Sequence, residues 1–307
     1  MRRIAFYVLW DREGRVRDHV AYYLTGLREV ADDVLVVVNG ELSDQGRGRL
    51  KSLGVEFFVR ENRGLDFAAW QAAFARTGRE KLALYDELIL CNCSCYGPVY
   101  PFSAMFGAME QRKCDFWGIN RQPEVPGKVL GSGEHVFCMK EHIQSYFYVF
   151  RRTVMLSEAF ESWWRELVPA TSYWEEVRAH ELEFSGYLEA HGFSGDTFMN
   201  FQKYRETAPL GDAWNVCADM QLEDGNPLVK RKAAFASTEA SLRLWEHLRY
   251  RTAYPVEYML ADYPEGELSF PRILRYGFMR RICRGEKKKR YGIKEKKALF
   301  LHYLDLK

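Results

Sequence analysis

Four short apolar runs, separated by stretches of helical periodicity, constrain this chain more than any other feature. The runs are residues 4–9, 33–38, 55–59 and 87–91. Between them, residues 15–30 carry Val16, Val20, Leu24 and Leu27 at helical spacing, Ser43 stands as the N-cap of a helix over 43–53, and 67–76 is amphipathic. Strand and helix alternating every roughly 20–30 residues is the pattern of a mostly parallel sheet wound by right-handed crossovers. Each run also ends in small polar residues: Trp10-Asp11, Asn39-Gly40, Asn62-Arg63-Gly64-Leu65-Asp66 and Asn92-Cys93-Ser94. Open α/β sheets bind their ligands at these carboxyl ends, so the termini of the runs are the candidate site.

Further along, the patterning predicts a helix over 102–111 and a strand over 114–119. Residues 121–134, rich in Pro, Gly and Ser, read as a mobile loop or lid, and 142–150 as one strand with His142 and Gln144 on a shared face. Helices are expected over 157–167 and 173–191, the second broken by Gly192. Three prolines in 254–271 mark a division between a domain over 1–253 and a basic, amphipathic extension over 254–307.

Composition narrows the partners. Hydrophobic residues make up 47% of the 307, enough for a folded core. The net charge of +2 hides a division, because 270–307 holds thirteen Lys or Arg and three acids, leaving the rest of the chain acidic. A basic tail on an acidic body implies an anionic surface, either membrane headgroups or nucleic acid. No recognition-helix, zinc-finger or RNA-binding signature is present, so nucleic acid is set aside. Ile273, Leu274, Phe278, Met279 and Ile282 interleave with arginines ahead of Lys287-Lys288-Lys289-Arg290. That is the makeup of an interfacial helix with a polybasic cluster, or of a solvated helix packed on the acidic body. The seven cysteines form no disulfide framework, and neither a secretory signal nor a spanning segment is evident, so a cytoplasmic protein is expected, peripheral at the inner face of the membrane. Cys91, Cys93 and Cys95 alternate; on one strand they would share a face, as packed thiols or as metal ligands.

Six motifs run in order along the chain: Asn62-Arg63-Gly64-Leu65-Asp66, residues 90–98, Asp115-Phe116-Trp117-Gly118, His142-Ile143-Gln144-Ser145-Tyr146-Phe147, Glu181 with Phe184-Ser185, and Asn226-Pro227-Leu228-Val229-Lys230-Arg231. In these the chain resembles the rhamnan synthesis protein F family of bacterial polysaccharide and lipopolysaccharide assembly. The resemblance implies a Rossmann-like, mostly parallel α/β sheet of the GT-A glycosyltransferase type, here with a helical C-terminal extension. It further implies a nucleotide-diphosphate sugar donor, such as deoxythymidine-diphosphate rhamnose, and a lipid-linked or polymeric glycan acceptor.

On that reading, Asp11 and Asn39 hold base and ribose, while Asn62, Arg63 and Gly64 shape the donor turn. Asp66 contacts the pyrimidine or the ribose, or else caps the helix that follows it. Asn92 and Ser94 stand where GT-A enzymes carry an aspartate-x-aspartate element that holds Mg2+ or Mn2+ against the diphosphate. The family has Asp where this chain has Cys93. Amide plus hydroxyl is a poor cage for such an ion, which leaves neutralising charge to Arg63, Lys140 or Lys230, or those cations to solvent. Glu181, on the family's pattern, is the candidate base, with Asp196 its rival, and a carboxylate base with direct displacement predicts inversion. His142 and Gln144 are candidates for sugar hydroxyls, and Trp117 for stacking on a sugar ring or filling the core. The alternative function is a non-catalytic nucleotide-sugar or glycan-binding assembly factor.

Overall fold

The computed structural model describes residues 1–124, 129–130, 137–204, 218–234 and 239–261. Its centre is a seven-stranded sheet. Strands β1 (Arg3–Leu9), β2 (Asp33–Asn39), β3 (Glu56–Arg60) and β4 (Glu87–Asn92) alternate with helices α1 (Asp18–Arg28), α2 (Asp44–Ser52) and α3 (Leu65–Leu82). β1 pairs in parallel with β2 on one side and β4 on the other, and β3 extends the sheet in parallel beyond β2. The runs that carry β1, β2 and β4 are apolar nearly throughout because both faces are covered, while the edge strand β3 is only part-buried. Every residue of β1 and β4 is buried. The sheet is therefore mixed α/β and mostly parallel, as the alternation of runs predicts.

A two-residue strand β5 (Cys95–Tyr96) and helix α4 (Phe102–Glu110) come next, then β6 (Phe116–Gly118), β7 (Arg121–Gln122), β8 (Val129–Leu130), β9 (Phe137–Cys138), β10 (His142–Ile143) and β11 (Phe147–Arg151). β11 is antiparallel to both β4 and β6, and β12 (Gly195–Thr197) closes the far edge parallel to β6. The sheet order is β12-β6-β11-β4-β1-β2-β3. Helices α5 (Arg152–Met155), α6 (Glu158–Glu166), α7 (Tyr173–Glu176) and α8 (Leu182–Ala190) lie between β11 and β12, with a π-helical turn, Val177–Glu181, joining the last two.

Two core clusters flank the sheet. One packs α1, α2 and α4 on one face; the other packs α3, α5, α6 and α8 on the opposite face. A third cluster joins α9 (Ala218–Glu223), β13 (Val229–Lys230), α10 (Arg231–Ala234), α11 (Glu239–Arg251) and α12 (Val256–Ala261) to Tyr96 and Val99. Tyr254, Val256 and Met259 belong to it, so the described chain beyond 253 packs on the body. The basic tail lies outside the described residues.

Several local expectations change. The segment 142–150 is two strands, not one. β10 pairs with β7, the chain turns through Ser145 and Tyr146, and β11 then enters the main sheet. His142 and Gln144 therefore share no strand face. Arg121–Gln122, within the stretch whose composition suggests a loop, is β7, and β8 pairs with β9 over the same stretch and just beyond it; residues 125–128 and 131–136 lie outside the described residues. The helix expected over 173–191 is split by the π-turn. Cys91, Cys93 and Cys95 do not share a strand, because Cys93 and Ser94 form the turn between β4 and β5.

Candidate active site

The strand order 3-2-1-4 makes the crevice between the carboxyl ends of β1 and β4 the topological switch point, where sheets of this kind take ligands. Trp10 follows β1 and Cys93 follows β4. The Trp10 backbone N–H reaches the Cys93 Sγ at 3.4 Å, so the two ends are tied together.

The turn after β3 is brought to this place by its neighbours. The Arg60 guanidinium donates to the Asn39 Oδ1 at 2.6 Å and to the Arg63 carbonyl at 2.7 Å, while the Asn39 amide donates to the Leu65 carbonyl at 3.1 Å. Asn39 is buried, and its two bonds brace the turn. Gly64 caps α3 with φ +72°, and a Cβ there would meet both the Ala68 and Pro169 Cβ atoms at 2.6 Å. Only glycine tolerates both demands. Asn62 and Arg63 are exposed beside it.

Asp66 sits one residue into α3. Its Oδ2 accepts from the Asn92 Nδ2 at 2.7 Å, joining the turns after β3 and β4. The Asn92 Oδ1 accepts from the Ser94 N–H at 3.1 Å and the Ser94 Oγ at 2.6 Å, which fixes the amide with its nitrogen toward Asp66. The Lys230 ammonium reaches the Ser94 Oγ at 3.2 Å and lies 4.3 Å from the centre of the Tyr146 ring. Lys230 arrives there because β13 pairs antiparallel with β5, setting Lys230 opposite Cys95. Arg231 continues the same clamp: its N–H donates to the Ser94 carbonyl at 3.0 Å, and its guanidinium reaches the Cys93 carbonyl at 3.5 Å. Nothing in the local sequence separates Arg231 from its basic neighbours; the β5–β13 ladder does.

The opposite wall comes from α7 and the π-turn. The Glu176 Oε1 accepts from the backbone N–H groups of Asp66 at 3.0 Å and Phe67 at 3.1 Å. Asp66 consequently does not cap its own helix; Glu176 does. Glu181 accepts from the Ser145 N–H at 3.4 Å and lies close enough to act electrostatically on Asp66 and Glu176. Burial pushes the Asp66 carboxyl up and Glu181 adds to the push, against the pull of Lys230 and the Asn92 amide. Glu176 is pushed up further still, first by burial and then by Asp66, although the two backbone N–H bonds work the other way. Lys232 rests over the Tyr173 ring at 5.1 Å, linking the two walls.

Other candidates lie elsewhere or are occupied. Asp11 accepts from the Glu13 and Arg15 N–H groups and from the Arg17 Nε at 2.6 Å. Burial alone would raise its carboxyl, but Arg17 and those N–H groups hold it below its usual range. It organises the loop after β1. Trp117 is 1% exposed and packed between Phe106 and Phe147, which leaves no face for a sugar. Asp196 stands on the edge strand β12, paired with Arg112 at 3.2 Å rather than with the Asp66 group. His142 is buried with its Nδ1 on the Lys140 carbonyl at 2.8 Å, and Gln144 follows β10, its N–H on the Asn120 carbonyl at 3.0 Å. Lys140 pairs with Glu183 at 2.5 Å on the surface.

The donor set does not suit a divalent ion. Asn92 turns its nitrogen toward Asp66 and spends its oxygen on Ser94, and among the described residues no group of three or more His, Cys, Asp or Glu could hold a metal. Burial pushes the Cys91, Cys93 and Cys95 thiols up.

Fold and site together define an α/β protein with a cluster of acids and cations at its switch point. The chain belongs to the rhamnan synthesis protein F family, whose match covers residues 34–306. It is similar to the uncharacterized protein y4gN of Sinorhizobium fredii, 23% identical over 163 residues, which is 52% of this chain and 39% of that protein. The chain thus spans well under half the length of that curated relative. Among solved structures, it resembles the inositol-1-phosphate CTP transferase of T. maritima (15% identity, TM-score 0.37, 66% of this chain and 94% of that one). It also resembles glucosyl-3-phosphoglycerate synthase of Mycobacterium tuberculosis in complex with Mn2+, UDP-glucose and phosphoglyceric acid (12% identity, TM-score 0.32, 50% and 58%).

Proposed function

We propose that this protein transfers a sugar from a nucleoside-diphosphate donor, with rhamnose the leading candidate, to a growing cell-surface polysaccharide or lipopolysaccharide. The observation that carries the proposal is the continuous hydrogen-bonded chain Asp66–Asn92–Ser94–Lys230, which brings a carboxylate and a cation together at the carboxyl end of β4. Family membership supports the same class of chemistry.

In this reading the donor's nucleoside lies toward Asp66, Asn62 and Arg63. Its diphosphate meets Lys230 and Arg231, which offset the charge that builds on the departing group in the way a metal otherwise does. Glu181, whose Oε1 is engaged among the described residues by a long hydrogen bond from Ser145, takes the proton from the acceptor hydroxyl as that oxygen attacks the anomeric carbon. One displacement gives inversion. Asp196 is held by Arg112 on the sheet edge and takes no role.

The acceptor is a lipid-linked or polymeric glycan, and the basic tail is assigned to an anionic membrane surface. Among the described residues no helix is long and apolar enough to cross a membrane. Turnover of a panel of UDP- and dTDP-sugars by wild type and Glu181→Gln tests the mechanism. The variant is expected to bind donor normally and lose about two to four orders of magnitude in rate. Full turnover in the variant would remove Glu181 from the chemistry; donor binding without turnover in wild type would favour a non-catalytic assembly factor.

A further inference from the structure

The first turn of an α-helix leaves backbone N–H groups without partners, and a side chain at the N-cap normally satisfies some of them. α3 has no such side chain. Its N-cap is Gly64, imposed by the left-handed backbone and by the contact with Pro169. The missing acceptor comes from Glu176, 110 residues further along the chain, whose Oε1 takes both the Asp66 and Phe67 N–H groups. Glu176 is 7% exposed, and its Oε2 is buried without a hydrogen-bond partner among the described residues.

The turn after Glu176 matters equally. This π-turn, Val177–Glu181, is closed by the Leu182 N–H on the Val177 carbonyl, five residues back. In such a turn, residues five apart lie one above the other, whereas an ordinary helix matches residues three or four apart. Glu181 therefore shares a face with Glu176; Glu181 acts on Asp66, and Asp66 and Glu181 both act on Glu176. His180, one position earlier, turns inward to lie 5.4 Å from the Phe67 ring with its Nε2 on the Val168 carbonyl. π-turns inserted into α-helices recur at functional sites.

We propose that Glu176 is a positioning residue of this site: it locks the first turn of α3, and with it Asp66, to the π-turn that carries Glu181. The inference deepens the transferase reading and rests on it for its consequence in catalysis, but its geometric content stands apart. Because burial beside Asp66 favours the protonated acid, an amide is the closest replacement for Glu176.

Hydrogen exchange at the Asp66 and Phe67 amides, measured on the full chain without ligand, tests the geometric part. Glu176→Ala is expected to speed exchange of these two amides by roughly ten- to a hundredfold relative to those of the β1–β2 core, and Glu176→Gln to restore most of the protection. Turnover of UDP- and dTDP-sugars is read alongside. In Glu176→Ala, kcat should fall by roughly tenfold or more, by more than the change at the core amides accounts for, and in Glu176→Gln it should recover in step with the protection. Unchanged protection at Asp66 and Phe67 in the alanine variant overturns the proposal. So does lost protection with unchanged kcat. A wild type that turns over no sugar in the panel counts against the transferase reading, and the exchange result then decides the positioning claim alone.

Discussion

Replacing Lys230 by Met removes one charge at nearly constant side-chain length, and the structure sets the size of the effect. The ammonium is held at 3.2 Å from the Ser94 Oγ and over the Tyr146 ring, so in the wild type it meets an arriving diphosphate already placed. Two unit charges about 4 Å apart attract by about 4 kcal/mol at an effective dielectric of about 20. Desolvation and the neighbouring Arg231 reduce the net loss to the range of one charge-assisted hydrogen bond, about 1.5–3 kcal/mol. The dissociation constants of UDP and dTDP should therefore rise by roughly 10- to 150-fold in Lys230→Met. Titration calorimetry at low and at physiological salt measures this, and the wild type should also lose more affinity to added salt than the variant does. Because Lys230 pulls the Asp66 carboxyl down, the variant's nucleotide-binding pH profile should move to higher pH as well. Affinities within about twofold of wild type at both salt concentrations would refute the reasoning, since no effect of that size is compatible with a direct contact.

Two further predictions concern the frame of the site. Gly64→Ala must accept a left-handed backbone and two close Cβ contacts, so chemical denaturation should show a loss of about 2–5 kcal/mol, and a change of less than about 0.5 kcal/mol would mean the turn relaxes freely. A carboxyl whose pKa is higher folded than unfolded binds its proton more tightly in the folded state, so the stability it contributes is present at low pH and is lost as pH rises toward the folded value. For Glu176 that window runs from about 4.3 up to about 9. The melting temperature of Glu176→Gln should accordingly gain on wild type as pH is raised from about 5 to about 8, and a constant difference across that range would show that the acid is ionised throughout.

The sheet was legible because its evidence is local. Apolar runs of strand length with polar ends can be read from neighbouring residues, and the Ser43 cap is visible in the sequence and present in the structure, where Ser43 accepts from the Gly46 N–H. That the turns after β3 and β4 lie at the same edge of the sheet follows from topology, whereas their meeting depends on the Asp66–Asn92 bond at the start of α3, because β1 and β2 stand between the two strands. Other features depend on contacts that no window contains. Glu176 lies among Glu175, Glu181 and Glu183, and only a partner 110 residues away distinguishes it. The π-turn has no compositional mark, and without it Glu176 and Glu181 would not be expected on one face. The break in 142–150 is hidden in the sequence because both halves are β-prone; the Ile143 carbonyl is taken by the Tyr148 hydroxyl, and β10 leaves the main sheet for β7. Trp117 shows the reverse case, a large aromatic in a family motif that the core fully encloses.

The wall behind the paired acids is built largely of indole and phenyl rings. Trp164 lies 5.9 Å from Phe67 and 6.5 Å from Trp70, while Trp163 stacks on Phe184 at 5.0 Å and meets His180 at 6.4 Å. Rings fixed so near one another in an asymmetric setting give the protein an intrinsic optical gauge. Rearrangement of the acids on nucleotide arrival should register in near-ultraviolet circular dichroism and in tryptophan emission, so occupancy could be followed without any attached label.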